Sequence, residues 1–474
     1  MLNNPLILRY RYSLMRPRKF WIYITIYLSV VVLIQLLNYM AYEHQEILEN
    51  PVKFFKNIFI QFMVLQILVL CFLSAINSGS AIKEEIAGNT YDFFRMLPIS
   101  AGKKTIGILL GKNLIVLLFA AVNFLLLTFF GIYGRVSISL LLQLFFALIS
   151  IAILLNSTFL LSSVNKLSKK KSNNIIALVL LCIFLGPFLF NGLIAVLKIK
   201  ELEDVTGNFY TIELPMLILI SLVILYFSCW SIAGILRKFT LEDEPLFSRI
   251  FAFIFMVGFE IVLLGLFYTY LTKENKTAIE VINYSFWLIS LLPVVTVPFG
   301  SLRSFDKYLE YSGLIRNRSN ENKNMMLRMF LYSNLFLGLG LFIIWAIGAI
   351  VTTSITGMEL SSCLYNILVL FSFYLFLLLL LELNVVYTSI SNKAGLLLGF
   401  IAAVYIILPL ILSGILPANN NLDLFSPLGF IANLFKKSSG MIHSIWITNF
   451  ILCIIPLLLV LKRHSYILKT RRKM

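Results

Sequence analysis

The amino-acid sequence predicts an all-α fold: a polytopic membrane protein of about twelve transmembrane helices in two six-helix halves, with both termini cytoplasmic. Three observations lead there. Hydrophobic residues make up 60% of the 474 and charged residues 13%, with a mean hydropathy of +0.93, whereas a soluble domain is roughly half apolar and a quarter charged. Apolar runs of about 20 residues, enough for a helix to cross ~30 Å of hydrocarbon, recur along the whole chain. Lys and Arg concentrate in alternate connecting segments, and that alternation sets the orientation.

In order, the predicted spans are 21–40, 57–78, 110–132, 137–164, 174–197, 212–236, 249–271, 282–301, 329–352, 363–388, 395–416 and 444–461. The period-2 alternation of a membrane barrel is missing, so helices are the spanning element. The first run is too long and lacks the small-residue site of a cleaved leader, so it is expected to stay. Segments on the N-terminal side of the spans carry 29 Lys or Arg and those on the other side nine, which places both termini inside. The net charge of +17 is then a topology signal. A nucleic-acid footprint would cluster its basic residues on one surface, and no nucleic-acid partner is expected.

Chemistry within the chain finds little support. Cysteines 71, 182, 229, 363 and 453 lie in or beside spans without paired spacing, and His44, His443 and His464 form no metal-ligating motif. Gly107 to Lys112, GILLGK, has three residues between its glycines where a Walker A loop has four, and Asn113 stands where a Ser or Thr would ligate magnesium. The chain is therefore expected not to be an enzyme and to carry no cofactor of its own. No polar segment is long enough to bury an independent core.

Between the second and third spans, SAIKEEIAGNTYDFFRMLPISAGKK (80–104) has an ordered pattern. Gly88 suits a helix C-cap, and Thr90 an N-cap with Asp92 in the first turn. Pro98 stops the restarted helix at Leu97, and Ser100 caps the next. The result is a short crosswise helix carrying Phe93, Phe94, Met96 and Leu97 beside Arg95, an apolar tip that needs headgroups or a partner groove to cover it. The halves also echo each other: SSVNKLSKKKSNNIIALVLLCIFLGPFLF (162–190) and TSISNKAGLLLGFIAAVYIILPLILSG (388–414) each run from hydroxyl residues through an Asn-Lys pair to a proline-broken helix. This divides the chain into 1–236, a linker at 237–248, and 249–474.

Glu84-Glu85, Gly88-Asn89-Thr90, Leu97-Pro98-Ile99-Ser100 and Gly111-Lys112 together resemble the segment between the second and third spans of ABC-2 type transporter permeases. Asn89, inserted between the glycine and the threonine, departs from that family's pattern. The resemblance implies that 80–104 is a coupling segment docking into a separate ATP-binding subunit. Its expected contact residues are Glu84, Glu85, Gly88, Thr90, Phe93, Phe94, Leu97, Pro98 and Ser100. ATP and magnesium would belong to that subunit, and twelve spans would imply a fused pseudo-dimer serving two copies of it; the Lys-, Asn- and Ile-rich loops point to a bacterial cytoplasmic membrane. The matching place in the second half, 301–329, lacks the Leu-Pro-Ile-Ser stop. Residues 417–443 resemble the family's external stretch before the last span. The implied activity is export of a hydrophobic, lipid-like or peptide substrate.

Glu260 in the seventh run and Glu382 in the tenth are intramembrane charges. Such groups face a bundle interior, where they hydrogen-bond a neighbouring helix or mark an ion path. A proton-coupled carrier is therefore a rival reading, and a non-transporting membrane scaffold a third.

Overall fold

The computed structural model describes residues 4–41, 50–91, 96–165, 206–240, 248–273, 276–300, 330–331, 333–387 and 444–472. These are about 89% helical. The helices are α1 Pro5–Leu14, α2 Pro17–Ala41, α3 Pro51–Ala87, α4 Ala101–Gly111, α5 Leu114–Tyr133, α6 Ile138–Asn165, α7 Met216–Thr240, α8 Arg249–Lys273, α9 Lys276–Gly300, α10 Asn334–Thr356, α11 Leu360–Tyr387 and α12 Ser444–Arg472. All but α1 and α4 are long and apolar enough to cross a membrane, ten among the described residues. The chain is a multi-pass membrane protein by these helices. Predicted spans 174–197 and 395–416 lie outside the described residues, as do the segments 301–329 and 417–443 and most of the two echoing stretches.

Local chemistry explains several boundaries. Pro5, Pro17 and Pro51 each open a helix, where proline's missing N–H costs nothing. Asn4 caps α1, its Oδ1 accepting from the Leu6 N–H at 3.0 Å. Ser333 caps α10 in the same way, from Phe336 N at 3.2 Å. The helix predicted to start at 110 is broken instead at Lys112–Asn113. There the Asn113 amide donates to the Leu109 carbonyl at 2.9 Å, an alternative partner that competes with the helical ladder. Residues 212–215 pair as a strand with Thr206–Phe209, forming a two-stranded hairpin that adds a small β element to the all-α expectation.

The chain forms two compact units: Met1–Gly207 with Glu213–Glu244, and Asn208–Ile212 with Pro245–Met474. In the first, Ile58, Phe62 and Met63 of α3 pack with Val116 and Leu127 of α5 and with Leu141 and Leu148 of α6. Helix α3 runs 37 residues, about 55 Å at 1.5 Å per residue. A bilayer core is ~30 Å thick, so α3 must project well beyond it. Its middle, Ile67–Leu73, is wound as a π-helix.

In the second unit, Trp287 and Trp345 meet edge to face. The Trp345 indole donates to the Trp287 carbonyl at 3.1 Å, and the Trp287 indole to Thr352 Oγ1 at 3.3 Å. Pro298 inside α9 leaves the Val294 carbonyl without its helical donor. The Tyr374 hydroxyl of α11 supplies one at 2.8 Å, as a buried carbonyl in lipid requires. The hairpin tip rests on α8: Tyr210 N donates to the Gly265 carbonyl at 2.8 Å, and Thr269 Oγ1 to the Tyr210 carbonyl at 2.7 Å.

Candidate functional site: the turn after α3

Helix α3 ends in a complete Schellman motif. The Asn89 N–H donates to the Ile86 carbonyl at 3.1 Å and the Thr90 N–H to the Glu85 carbonyl at 2.9 Å, closing two of the helix's terminal acceptors. Gly88 is the C-cap, as expected, but at φ −81° it is not the left-handed residue. That position belongs to Asn89, at φ +54°. Asparagine is, after glycine, the residue that best tolerates it, so the residue inserted relative to the family pattern is the one that reverses the chain.

Beyond the turn, Tyr91 and Met96 are helical and the chain leaves the helix at Leu97, one residue before Pro98. Asp92, Phe93, Phe94 and Arg95 lie outside the described residues, and with them the backbone donors that Thr90 was expected to cap. The described part of the tip is less outward-facing than anticipated. Leu97 packs with Tyr91 and Ile99 against Leu6, Ile82, Ile108, Leu160 and Ile235, whereas Met96 is 74% exposed. Pro98 and Ser100 are exposed, and the Ser100 hydroxyl accepts from Lys103 N at 3.4 Å as the N-cap of α4.

Glu84 and Glu85 divide their work. Glu85 is buried, and its Oε2 accepts from Arg9 at 2.9 Å and from the Thr90 hydroxyl at 2.5 Å. Its Oε1 accepts from the Tyr10 hydroxyl at 3.4 Å. Burial first, and then the Glu85 charge, raise Tyr10 above the ordinary phenol range, so it remains an O–H donor. Glu84 is exposed, ion-paired with Lys112 and bonded to Ser80 Oγ at 2.8 Å. Five of the residues that carry the sequence pattern, Glu84, Glu85, Thr90, Gly111 and Lys112, thus meet one another or the same helix, α1.

Sequence reasoning missed that helix, having treated residues 1–20 as positive charge alone. Its signal was present: Asn4-Pro5 is a start, and Leu6, Ile7 and Tyr10 recur on one face. Asn4 Nδ2 donates to the Lys103 carbonyl at 2.7 Å, and α1 lies directly on Gly107 and Gly111 of α4. A Cβ at Gly111 would sit 2.7 Å from the Tyr10 ring. The two glycines of GILLGK are therefore helical contact points and form no phosphate loop.

A ladder of uncharged polar groups, also unread in the sequence, continues from this cluster into the apolar helices. Asn113 Nδ2 donates to Ser78 Oγ, Ser78 Oγ to Asn156 Oδ1, and Asn156 Nδ2 to Ser74 Oγ, each at 2.9 Å. Further along, Gln66 Nε2 reaches the Ala120 carbonyl at 3.3 Å and the Tyr27 hydroxyl reaches Asn123 Oδ1 at 2.6 Å. Single Gln and Asn residues inside apolar runs were the legible clue.

The two intramembrane carboxylates differ. Glu382 is fully buried, with Oε2 accepting from the Asn334 N–H at 3.0 Å in the first turn of α10 and Arg249 near enough to interact electrostatically. That places a carboxyl group at a helix N-terminus, whose free N–H groups supply donors. Glu260 is 8% exposed, and among the described residues neither carboxylate oxygen has a hydrogen-bond partner. It lies against Gly348 of α10, where a Cβ would come within 2.7 Å of its Oε2. Among the described residues no group of three His, Cys, Asp or Glu is placed to hold a metal. Comparison of the chain with protein-family models, curated proteins and solved structures returns no match.

Proposed function

We propose that the chain is the membrane-spanning subunit of an ATP-driven exporter of the ABC-2 type, acting with a separate ATP-binding subunit, two copies of which serve its two six-span halves. The cargo class is hydrophobic, lipid-like or peptide, matching a bundle lined mainly by apolar helices. One observation carries the reading: the residues of the family-like pattern converge on a hydrogen-bonded turn at the projecting end of α3, with Met96 exposed beside it. A segment held so firmly by its own membrane helix can transmit a push. ATP closing the partner dimer would move the turn, α3 would follow, and the population of inward- and outward-open states would shift.

The test is affinity purification of the tagged chain in mild detergent, wild type beside Phe93→Ser/Phe94→Ser/Met96→Ser, with ATPase activity assayed on each eluate. A co-purifying ATPase that the variant loses is the expected result. An ATPase-free wild-type eluate would sink the reading.

One observation favours the rival carrier: Glu260 is buried and, among the described residues, both its oxygens are unpartnered. An unpaired buried carboxylate is costly, so a group that binds a proton or cation in turn is one use for it. If no ATPase co-purifies, loss of proton-coupled flux in Glu260→Gln becomes the deciding measurement.

A further inference from the structure

Helix α1 has two apolar faces. Leu6, Ile7 and Tyr10 are buried on the inner one. On the outer one Leu8 is 37% exposed and Tyr12 77%, four residues apart and so neighbours on the helix surface. Arginines surround that stripe: Arg11 on α1, Arg16 in the joint to α2 and Arg18 in the first turn of α2, all exposed. None of the three has a carboxylate partner among the described residues. Arg9, by contrast, is committed to Glu85. Trp21, 65% exposed, follows at once.

Chain length decides what covers this face. Only Met15 and Arg16 separate α1 from α2, and two residues span at most about 7 Å. The membrane-length window Phe20–Met40 begins two residues after Arg18 and is only 6% buried within the protein, so lipid surrounds it. The C-terminal end of α1 is therefore held at the headgroup layer.

We propose that the outer face of α1 and the first turn of α2 bind anionic phospholipid headgroups. Arg11, Arg16 and Arg18 grip phosphate oxygens, and Leu8, Tyr12 and Trp21 lie at the level of the upper acyl carbons. Guanidinium forks match phosphate geometry. Aromatic side chains favour this depth, and basic amphipathic helices lie in the interface plane. An anionic surface contributes about fivefold in binding for each nearby arginine. The site stands whether or not the chain is an exporter.

The experiment titrates full-length protein in zwitterionic micelles with acyl-brominated phosphatidylglycerol or phosphatidylcholine. Quenching is read as the fluorescence lost by wild type minus that lost by Trp21→Phe. The expected result is half-quenching at a concentration at least about tenfold lower for phosphatidylglycerol than for phosphatidylcholine, with about a hundredfold the ceiling for three arginines, a preference that shrinks at ionic strength near ~1 M, where the Debye length is about 3 Å. Arg11→Gln/Arg16→Gln/Arg18→Gln should bring the two lipids to within about twofold, and the triple Lys variant should keep most of the difference. Equal quenching in wild type, or a preference that survives the Gln substitutions, overturns the proposal. So does loss of the preference on adding inorganic phosphate, which would make this a free-anion site. If the Gln variant aggregates, the salt and phosphate arms on wild type decide.

Discussion

Asn89 shows how one side chain sets the direction of a segment. Its φ of +54° would cost a β-branched residue about 1–2 kcal/mol, whereas glycine adopts it freely. Asn89→Gly should therefore leave thermal stability within about 0.5 kcal/mol of wild type, and Asn89→Val should lose about 1–2 kcal/mol. The check is the monodisperse fraction of detergent-solubilised protein after graded heating. Equal losses in both variants would mean that the asparagine side chain matters more than the backbone angle. The sequence pointed at Gly88 because glycine is the usual left-handed residue, and only the hydrogen bonds of residues 85–90 move that role one place along. Glu85 raises the same issue from the side of charge. Its acidity was legible, but not its burial, which depends on Arg9 and Tyr10 some 75 residues earlier.

Among the elements, α1 was the hardest to read. A ten-residue helix ahead of a span gives a weaker hydropathy signal than the span itself, and the arginines in 9–18 mask its apolar face. Gly107 and Gly111 offered a clue, since two glycines four residues apart on a helix admit a second backbone. Filling that groove should detach α1. Gly111→Leu brings side-chain atoms into the space of the Tyr10 ring and the Ile7 backbone. Leu6, 1% exposed, should then become reachable. In a background without native cysteines, Leu6→Cys should resist a water-soluble maleimide, and Leu6→Cys with Gly111→Leu should react at least about tenfold faster, the effect of ~1.4 kcal/mol of lost docking. Equal rates would show that α1 is not held by this groove. Long apolar helices were legible because length and hydropathy alone define them. The exceptions were places where a polar side chain intervened: Asn113 splitting one helix, and the serine and asparagine ladder joining others.

For the whole molecule, orientation depends on two runs, 174–197 and 395–416, that lie outside the described residues, and charge makes a definite statement about both. Residues 302–328 carry six Lys or Arg and 462–474 carry six more. If 174–197 did not cross, the connection after α7 and every later segment down to α11 would change sides, carrying 302–328 to the outer face. If 395–416 alone failed, the C-terminal six would be outside instead. Each basic residue resists translocation, so both alternatives oppose the charge pattern, and twelve crossings satisfy it. Insertion of a fluorescent protein that matures only in the cytoplasm reads this directly, once at residue 244 and once after Met474. Both fusions should fluoresce, and alkaline phosphatase at the same two places should be inactive. Fluorescence at the C-terminus but not at 244 would require both runs to remain on one side, leaving ten crossings, five before the linker and five after it. The arrangement of two six-span halves running the same way would then fail, since an odd number of crossings inverts the second half, while the membrane character of the chain, carried by the ten described helices, would stand.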